Sequence, residues 1–205
     1  MNHKGRFICF EGIDGSGKST QAGLLASTME AHGIDHISLA EPSNGAYGLE
    51  IREILLKDDI YGLPAVERQM ELFILDRADD VQRNITPALS MDKTVIIDRY
   101  YFSNAAYQGA MGLDYIFILE ENRKRFFPEP DIVFLIDISP EEALKRIKSR
   151  NKTTDLFEKK EFLTKVRNIF LQITDSRFVL IDGAQKTEDI HHIILANIRQ
   201  LGFNI

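Results

Sequence analysis

Short apolar runs recur along the chain and alternate with longer stretches in which apolar residues return every three or four positions. The runs predict β-strands, and the longer stretches predict amphipathic helices. Because each run is apolar almost throughout, both faces of its strand should be covered, as in a parallel sheet. The predicted strands lie at residues 7–10, 36–40, 94–97, 132–137 and 178–181. The pattern therefore predicts a three-layer α/β/α fold with a five-stranded parallel sheet flanked by helices.

The helical stretches begin at residues that suit helix termini. Pro64 and Pro140 fall in the first turn of their helices, where the missing N–H of proline costs no hydrogen bond. The predicted helices lie at residues 18–32, 48–56, 64–85, 103–111, 114–125, 140–150, 156–174 and 188–200. The apolar side of the first helix is expected to consist of Leu24, Leu25, Thr28 and Met29.

The stretch after the first run has the spacing of a phosphate-binding P-loop, G-x-x-x-x-G-K-S. Its glycines let the backbone turn tightly, so that successive N–H groups can point at one anion, and the following helix adds its positive end. Lys18 supplies a mobile cation for the β- and γ-phosphates, and the Ser19 hydroxyl can ligate Mg²⁺. A nucleotide is therefore expected to contact Gly12, Asp14, Gly15, Ser16, Gly17, Lys18, Ser19 and Thr20.

Polar residues follow the second and third predicted strands, at the edge where open α/β sheets bind their ligands. Glu41 and Pro42 follow the second strand, and Asp98 and Arg99 follow the third. An acid beside an arginine suits a Mg²⁺–phosphate site, because the acid can hold metal-bound water and the guanidinium can donate two hydrogen bonds to phosphate. The plainer alternative is a pair of polar residues that only closes a strand.

The helix predicted at 64–85 carries an arginine on its apolar stripe. In one interpretation, Arg77 extends to solvent or pairs with Asp76 or Asp80. In the other, the stripe ends at a cleft, where Phe73 stacks on a flat ligand and Arg77 donates to the edge of that ligand. The spacing fits both interpretations equally. The stripe consists of Val66, Met70, Phe73, Ile74, Ala78, Val81 and Ile85.

Further arginines lie where a phosphate contact is possible. Arg52 is either an exposed helix charge or, because the loop 41–48 is close in sequence, a phosphate contact. Arg146 and Arg150 lie one turn apart in a basic, polar segment between two helices. That segment is either a solvated helix end or a lid at about 146–156 that brings arginines over the γ-phosphate.

The composition of the P-loop favours the lid. Residues 13–16 carry no cation, whereas phosphoryl transfer requires positive charge near the transferred group. The missing charge must therefore come from another part of the chain.

Composition and charge narrow the class of protein. With 205 residues, 44% of them hydrophobic, the chain suits one α/β domain spanning residues 1–205. The formal net charge of −6 disfavours a nucleic-acid partner, since such binders are usually basic. The single cysteine, Cys9, is expected in the core rather than in a disulfide. No apolar run approaches the ~20 residues that span a bilayer, and no secretory signal is recognisable, so we expect a cytoplasmic enzyme without a membrane partner.

These segments together resemble the thymidylate kinase family over essentially the whole chain. The most specific segment is DRYYFSNAAYQ at residues 98–108. Further matches are FEGIDGSGKSTQ at 10–21, Glu41-Pro42, LDRA at 75–78, Pro130-Asp131 and DLFE at 155–158. The resemblance implies a P-loop kinase fold and a homodimer. It also implies transfer of the γ-phosphoryl group of ATP to dTMP, with Mg²⁺, giving dTDP and ADP in dTTP synthesis.

The resemblance implies roles on the acceptor side, carried over by motif. Phe73 would stack on thymine, Arg77 would bond its edge, and Asn104 and Gln108 would contact the base. Tyr107 would lie under the deoxyribose and crowd a 2′-hydroxyl. The implied dTMP-binding residues are Glu41, Pro42, Arg52, Phe73, Arg77, Arg99, Asn104, Tyr107 and Gln108.

The resemblance implies roles around the phosphates as well. Family members without a P-loop arginine draw their catalytic cation from the lid, so Arg150 is expected to reach the transferred group. Arg146 would hold the lid and the adenine side of ATP. Arg52 and Arg99 would hold the acceptor phosphate, near the carboxylate of Asp14. The implied catalytic residues are Lys18, Arg99, Arg150 and Asp14, and the implied metal site consists of Ser19 and Asp98.

Two alternative functions remain open. The first is a related P-loop kinase that acts on another nucleoside monophosphate or deoxynucleoside. It arises because many bacterial members carry an arginine before Glu41-Pro42 and glycines after it, whereas here Ala40 precedes the pair and Ser43-Asn44-Gly45 follows. The second is a nucleotide-dependent switch such as a GTPase. That class needs Asn-Lys-x-Asp after a strand, and the nearest segment, 151–155, has one residue too many.

Overall fold

The sheet is built as the apolar runs predict. The computed structural model describes residues 5–55, 62–148 and 156–205. The strands are β1 (Phe7–Glu11), β2 (His36–Ala40), β3 (Thr94–Asp98), β4 (Ile132–Asp137) and β5 (Phe178–Asp182). They pair in parallel in the order β2-β3-β1-β4-β5. The prediction of a five-stranded parallel sheet is confirmed, and β1, β3 and β5 each extend one residue further, to an acidic residue.

Helices cover both faces of this sheet, which confirms the three-layer α/β/α arrangement. In the described ranges they are α1 (Lys18–Ala31), α2 (Ala46–Leu55), α3 (Leu63–Asp80), α4 (Thr86–Ser90), α5 (Tyr101–Ala110), α6 (Tyr115–Arg123), α7 (Pro140–Lys148), α8 (Leu156–Gln172) and α9 (Thr187–Gln200). None of these helices combines the length and the apolar character needed to cross a membrane.

The helix predicted at 64–85 is not continuous. Its α-helical part, α3, ends at Asp80, one π-helical turn follows at Val81–Ile85, and α4 then continues to Ser90. Pro87 lies in the first turn of α4. A proline has no N–H to donate, and its ring crowds the preceding helical turn. The widened π turn accommodates this proline, so the helical segment continues past its predicted end.

Two apolar clusters form the core, one on each face of the sheet. Side chains alternate along β1, so that Phe7 and Cys9 pack on one face and Ile8 and Phe10 on the other. All four are buried, and Cys9 lies in the core as expected. Helices α1 and α9 cover the face of Ile8, and helices α4 to α8 contribute to the opposite face.

The buried side of α1 differs from the expected one. Leu25 and Met29 are fully buried, as predicted, but Leu24 is 36% exposed and Thr28 is only partly buried. Gln21, one turn before Leu25, completes the buried side instead. Apolar spacing does not predict this position, because a glutamine occupies it.

The strand order brings three loops to one place. The chain runs from β1 to the edge strand β2, returns to β3 beside β1, and then crosses to β4 on the other side of β1. Phe10 of β1 is level with Asp98 of β3, and Asp98 is level with Ala40 of β2. The residues after these strands therefore meet at the carboxyl edge of the sheet, where α/β proteins bind ligands.

The burial pattern of α1 provides a paired test of the core. Leu25→Ala should lower the free energy of unfolding by about 2–5 kcal/mol, because the substitution leaves a cavity at a fully buried position. Leu24→Ala, the same substitution on the exposed side, should lower it by less than about 1 kcal/mol. Urea unfolding followed by circular dichroism measures both values. Equal losses would show that α1 buries a different side.

Candidate active site

The turn between β1 and α1 packs closely against β4 and α7. Gly12 has a φ of 140° and Gly15 a φ of 81°, a region that favours glycine. A Cβ on Gly12 would lie 2.4 Å from the carbonyl oxygen of Ile136, and a Cβ on Gly15 would lie 2.8 Å from that of Ala143. Only glycine fits at these two positions. A tight glycine turn at the start of a helix is the arrangement that binds phosphate.

Lys18 lies beneath this turn. Its side chain is buried, and its ammonium group donates a hydrogen bond of 2.9 Å to the carbonyl oxygen of Ile13. Burial and the nearby positive charge of Arg99 lower the pKa of Lys18 to about 8, although neighbouring carboxylates oppose this shift. Lys18 is therefore a cation held out of water, a state that a bound anion would stabilise.

Ser19 and Asp98 form the candidate metal position. The Ser19 hydroxyl donates a short hydrogen bond to Asp98 Oδ2, and Asp98 Oδ1 is buried without a hydrogen-bond partner in the described part of the chain. Hydroxyl and carboxylate oxygens suit Mg²⁺, whose shell is usually completed by waters and substrate phosphates. Within the same residues, no group of three or more His, Cys, Asp or Glu side chains could hold a metal ion. The pair therefore fits a Mg²⁺ shared with a nucleotide.

Arg99 connects the P-loop to α5. Its guanidinium donates to Asp14 Oδ1 at 2.5 Å, to the Ser103 hydroxyl at 2.9 Å and to the Tyr107 hydroxyl at 3.2 Å. The guanidinium carbon lies 4.9 Å from the centre of the Tyr107 ring. The Tyr107 hydroxyl also accepts a hydrogen bond of 3.1 Å from the backbone N–H of Asp14. Asp14, Arg99 and Tyr107 thus form one connected unit.

The charges within this unit set its protonation state. Burial alone would raise the pKa of the Asp14 carboxyl, but the positive charges of Arg99 and Lys18 lower it by more. The pKa of Asp14 therefore lies below its usual value. Burial raises the pKa of the Tyr107 hydroxyl, against the lowering effect of Arg99. Asp14 is therefore an anion and Tyr107 a neutral phenol near pH 7.

Glu11, the last residue of β1, was not among the predicted site residues. It is fully buried, and its carboxylate accepts hydrogen bonds from the Tyr100 N–H at 2.8 Å, the Ser103 N–H at 3.2 Å and the Ser103 hydroxyl at 2.5 Å. Burial raises the pKa of Glu11, and the Ser103 hydrogen bond and the charge of Arg99 oppose the rise. Glu11 holds the first turn of α5 and, through Ser103, the guanidinium of Arg99. Its sequence signal was slight: an acid at the end of an apolar strand.

A cavity of 210 Å³ opens beside Arg99. It is bounded by α5, by the loop after β2 and by Phe73 of α3. Phe73, on the apolar stripe of α3, therefore faces a cleft, as one of the two interpretations of that stripe predicts. The predicted dTMP-binding residues that line this cavity are Glu41, Pro42, Phe73, Arg99, Asn104, Tyr107 and Gln108.

Arg77 lies behind this cavity rather than in its lining. It is fully buried, and its guanidinium pairs with both carboxylate oxygens of Glu41 and donates to Asn122 Oδ1 at 2.6 Å. Burial raises the pKa of Glu41 to about 8, against the lowering effect of Arg77. The partner is thus neither of the expected carboxylates, Asp76 or Asp80. Glu41 is 36 residues away in sequence, beyond the reach of helix spacing.

Arg52 braces the loop after β2. Its guanidinium donates to the carbonyl oxygens of Ser43 at 2.6 Å and Pro42 at 2.5 Å. From the other side, Asp76 accepts hydrogen bonds from the N–H and the hydroxyl of Ser43. Arg52 is half-buried and is therefore not a freely exposed helix charge. It faces a separate cavity of 970 Å³ that also reaches Asp98.

A third cavity, of 280 Å³, lies between the P-loop and the start of α9. Arg146 of α7 borders it and donates to the carbonyl oxygens of Gly183 at 2.9 Å and Ser16 at 3.4 Å. The predicted donor-side residues around this cavity are Gly15, Ser16, Gly17, Thr20 and Arg146. Arg150, most of the predicted lid and the segment 151–155 lie outside the described residues.

Comparison with known proteins gives one family. A family model described as Thymidylate kinase matches residues 10–194. A thymidylate kinase from Desulfotalea psychrophila is 40% identical over 201 residues, which cover 98% of this chain and 97% of that protein. A probable thymidylate kinase from Pyrococcus horikoshii is 38% identical over 200 residues, covering 96% and 97%. A thymidylate kinase from Leptospira interrogans is 38% identical over 202 residues, covering 97% and 98%.

Ser103→Ala tests the network of Glu11. The substitution leaves one oxygen of a buried carboxylate without its hydroxyl donor, which should lower the free energy of unfolding by about 1–3 kcal/mol. The control is Ser90→Ala, because the Ser90 hydroxyl bonds the Thr86 carbonyl on an exposed helix end and should matter by less than about 1 kcal/mol. Urea unfolding without nucleotides measures both. Similar small losses would mean that Glu11 does not depend on Ser103.

Proposed function

The chain belongs to the thymidylate kinase family, and we propose that the cleft at the carboxyl edge of its sheet transfers the γ-phosphoryl group of ATP to dTMP. The family establishes the class of reaction, an ATP-dependent phosphoryl transfer that gives dTDP and ADP. One observation supports the location. Arg99 bonds Asp14 of the P-loop on one side and borders the cavity of Phe73 on the other. A donor phosphate and an acceptor phosphate would therefore meet at Arg99.

On the donor side, the P-loop residues 12–20 bind the phosphates of ATP. Their backbone N–H groups and the ammonium of Lys18 neutralise the negative charge. Ser19 and Asp98 would hold Mg²⁺, which would offset the negative charge that develops on the phosphate oxygens. Arg146 fixes the wall of the 280 Å³ cavity, which we assign to the adenine side of ATP.

On the acceptor side, the 210 Å³ cavity takes the base and the sugar. Phe73 offers a flat apolar surface for thymine, and Tyr107 lies where the deoxyribose would pass, excluding a 2′-hydroxyl. Arg99 holds the acceptor phosphate, because its guanidinium can form two parallel hydrogen bonds with phosphate oxygens. Asp14 and Arg99 are then the catalytic groups between the two substrates.

Arg77 and Arg52 contribute in different ways. Arg77 is held by Glu41 and Asn122 behind the cavity, and we propose that it serves the edge of the base through Glu41, which lines that cavity. Arg52 shapes the loop of Pro42 and would turn toward the acceptor phosphate when that ligand binds.

We further propose that the enzyme works as a homodimer in the cytoplasm, as the resemblance to the family implies. Helices α2 and α3 pack against each other and carry exposed apolar side chains, which would suit a second copy of the chain. These side chains are Leu49, Leu55, Leu63 and Leu75.

A panel of nucleoside monophosphates with Mg·ATP tests the proposed reaction. The highest kcat/KM is expected for dTMP, because Phe73 offers a flat apolar wall and Asn104 and Gln108 offer amide groups for a pyrimidine base. The value for dUMP should be roughly 10–200-fold lower, since the missing methyl group loses an apolar contact. Equal or faster turnover of AMP, GMP or CMP would favour the alternative of a kinase for another monophosphate.

The two arginines assigned to the lid should affect different kinetic constants. Arg146→Ala should raise the KM for ATP with little change in the KM for dTMP, because it removes the contacts with Ser16 and Gly183. Arg150→Ala should lower kcat by about 10³-fold or more, since it removes a positive charge beside the transferred phosphoryl group. Arg150→Lys should restore part of the lost activity, because it restores the charge without the two-pronged guanidinium.

Lys145→Ala is the control for both variants, because Lys145 is an exposed cation on the same helix, α7. It should leave all three constants unchanged. If Arg146→Ala and Arg150→Ala behave like this control, the segment is a solvated helix end.

A further inference from the structure

Three buried side-chain amides follow one another between α3 and α5. Gln69 lies on α3, Asn104 and Gln108 lie one turn apart on α5, and each of the three is 2% exposed. Asn104 and Gln108 line the 210 Å³ cavity. Gln69 lies one turn before Phe73, which also lines that cavity. Gln69 has no role in the proposed reaction.

The hydrogen bonds between these amides all run in one direction. Asn104 Nδ2 donates to Gln108 Oε1 at 2.9 Å, and Gln108 Nε2 donates to Gln69 Oε1 at 3.5 Å. The other atom of the Asn104 amide, Oδ1, is buried and has no hydrogen-bond partner among the described residues. The relay therefore leaves an acceptor, and not a donor, as the unsatisfied atom of Asn104, a residue that lines the cavity.

The direction of the relay cannot reverse at one residue alone. Rotating only the Asn104 amide would place its oxygen against Gln108 Oε1, so that two acceptors would face each other. Rotating Gln108 as well would place its oxygen against Gln69 Oε1. The orientation of the Gln69 amide, the third in the relay, thus decides which atom Asn104 presents.

The presented atom matters because pyrimidines differ at N3. Thymine and uracil carry a hydrogen on N3, which is a donor, whereas N3 of cytosine is an acceptor. An unsatisfied oxygen on Asn104 can accept the N3–H of thymine but meets only a lone pair on cytosine. A buried polar group that one substrate satisfies and another leaves unpaired gives strong discrimination.

We propose that Gln69 is a positioning residue for base selection: through Gln108, it holds Asn104 Oδ1 as an acceptor and so restricts the site to bases with an N3–H. This proposal rests on the proposed function, since it places the acceptor base in the 210 Å³ cavity. Gln69 touches no substrate in this scheme and acts only through Gln108.

The test compares two substrate ratios in Gln69→Met, which keeps the side-chain volume and removes the amide. The kcat/KM ratio of dTMP to dCMP should narrow by about tenfold or more, because the Asn104 amide can then turn either way. The ratio of dTMP to dUMP should not change, because both bases carry an N3–H. A variant that merely loosened the cavity would change both ratios.

Two further variants sharpen this test. Gln69→Glu keeps a side-chain oxygen that can accept the hydrogen bond from Gln108 Nε2, so this variant should retain most of the dTMP to dCMP ratio. Gln82→Met, the same substitution at an exposed residue of the π turn, should leave both ratios unchanged. Thermal unfolding of each variant verifies that it is folded.

The outcomes separate this proposal from the proposed function. Turnover of dTMP by the unmodified enzyme tests the function by itself. The relay is overturned if that enzyme is active and Gln69→Met leaves the dTMP to dCMP ratio unchanged, or narrows both ratios equally. A dTMP to dCMP ratio that narrows as much in Gln69→Glu as in Gln69→Met overturns it as well, because Gln69→Glu retains the acceptor for Gln108 Nε2.

Discussion

The arrangement of the cleft depends on one buried carboxylate, that of Glu11. It ends the central strand β1, and it accepts hydrogen bonds from two N–H groups and one hydroxyl in the first turn of α5. These N–H groups lie at a helix start, where the usual acceptor four residues earlier is missing, and the Ser103 N–H also donates to the Tyr100 carbonyl oxygen at 3.0 Å. Because Glu11 supplies the acceptors, α5 can begin directly after Arg99, whose backbone is left-handed with a φ of 73°. Strand β1, which leads into the P-loop, thereby also fixes the Arg99 side chain through Glu11 and Ser103.

A second buried carboxylate, Glu41, plays the corresponding part after β2. It is held by a guanidinium instead of neutral donors, and Arg77 links it further to Asn122 of α6. Burial raises the pKa of both acids, which shows that each is costly to keep charged. Buried acids of this kind contribute little net stability but fix geometry, because removing Glu41 would leave the Arg77 guanidinium unpaired and removing Glu11 would leave its N–H and hydroxyl donors without an acceptor. The carboxyl edge of the sheet is thus tied to α3, α5 and α6.

The difference between what the sequence predicted and what it missed follows the range of the interactions. Strand ends were predicted to within one residue and, apart from the helix predicted at 64–85, the helix ends in the described residues to within two, because apolar spacing is local. The P-loop was predicted because its parts are consecutive. The partner of Arg77 was missed because Glu41 lies after β2, far from α3 in sequence. Glu11 was missed because its hydrogen-bond donors lie after β3, at the start of α5. In α1, Leu24 was predicted on the buried side but is 36% exposed, whereas Gln21, which apolar spacing did not include, is buried. Pairings between distant polar groups leave no periodic trace in one sequence.

The ion pair of Asp14 and Arg99 bears on how an acceptor phosphate enters this cleft. The Arg99 side chain is 17% exposed and is held by Ser103, Tyr107 and the carbonyl oxygen of Gly12, whereas the Asp14 side chain is 58% exposed. An incoming phosphate competes with Asp14 for the guanidinium, and Asp14 is the partner that can turn toward water at little cost. Arg99 need not move, so its orientation is set before the substrate arrives. Under the proposed function, the cleft therefore exchanges one anion for another around a fixed cation, which avoids the cost of ordering a long side chain during binding.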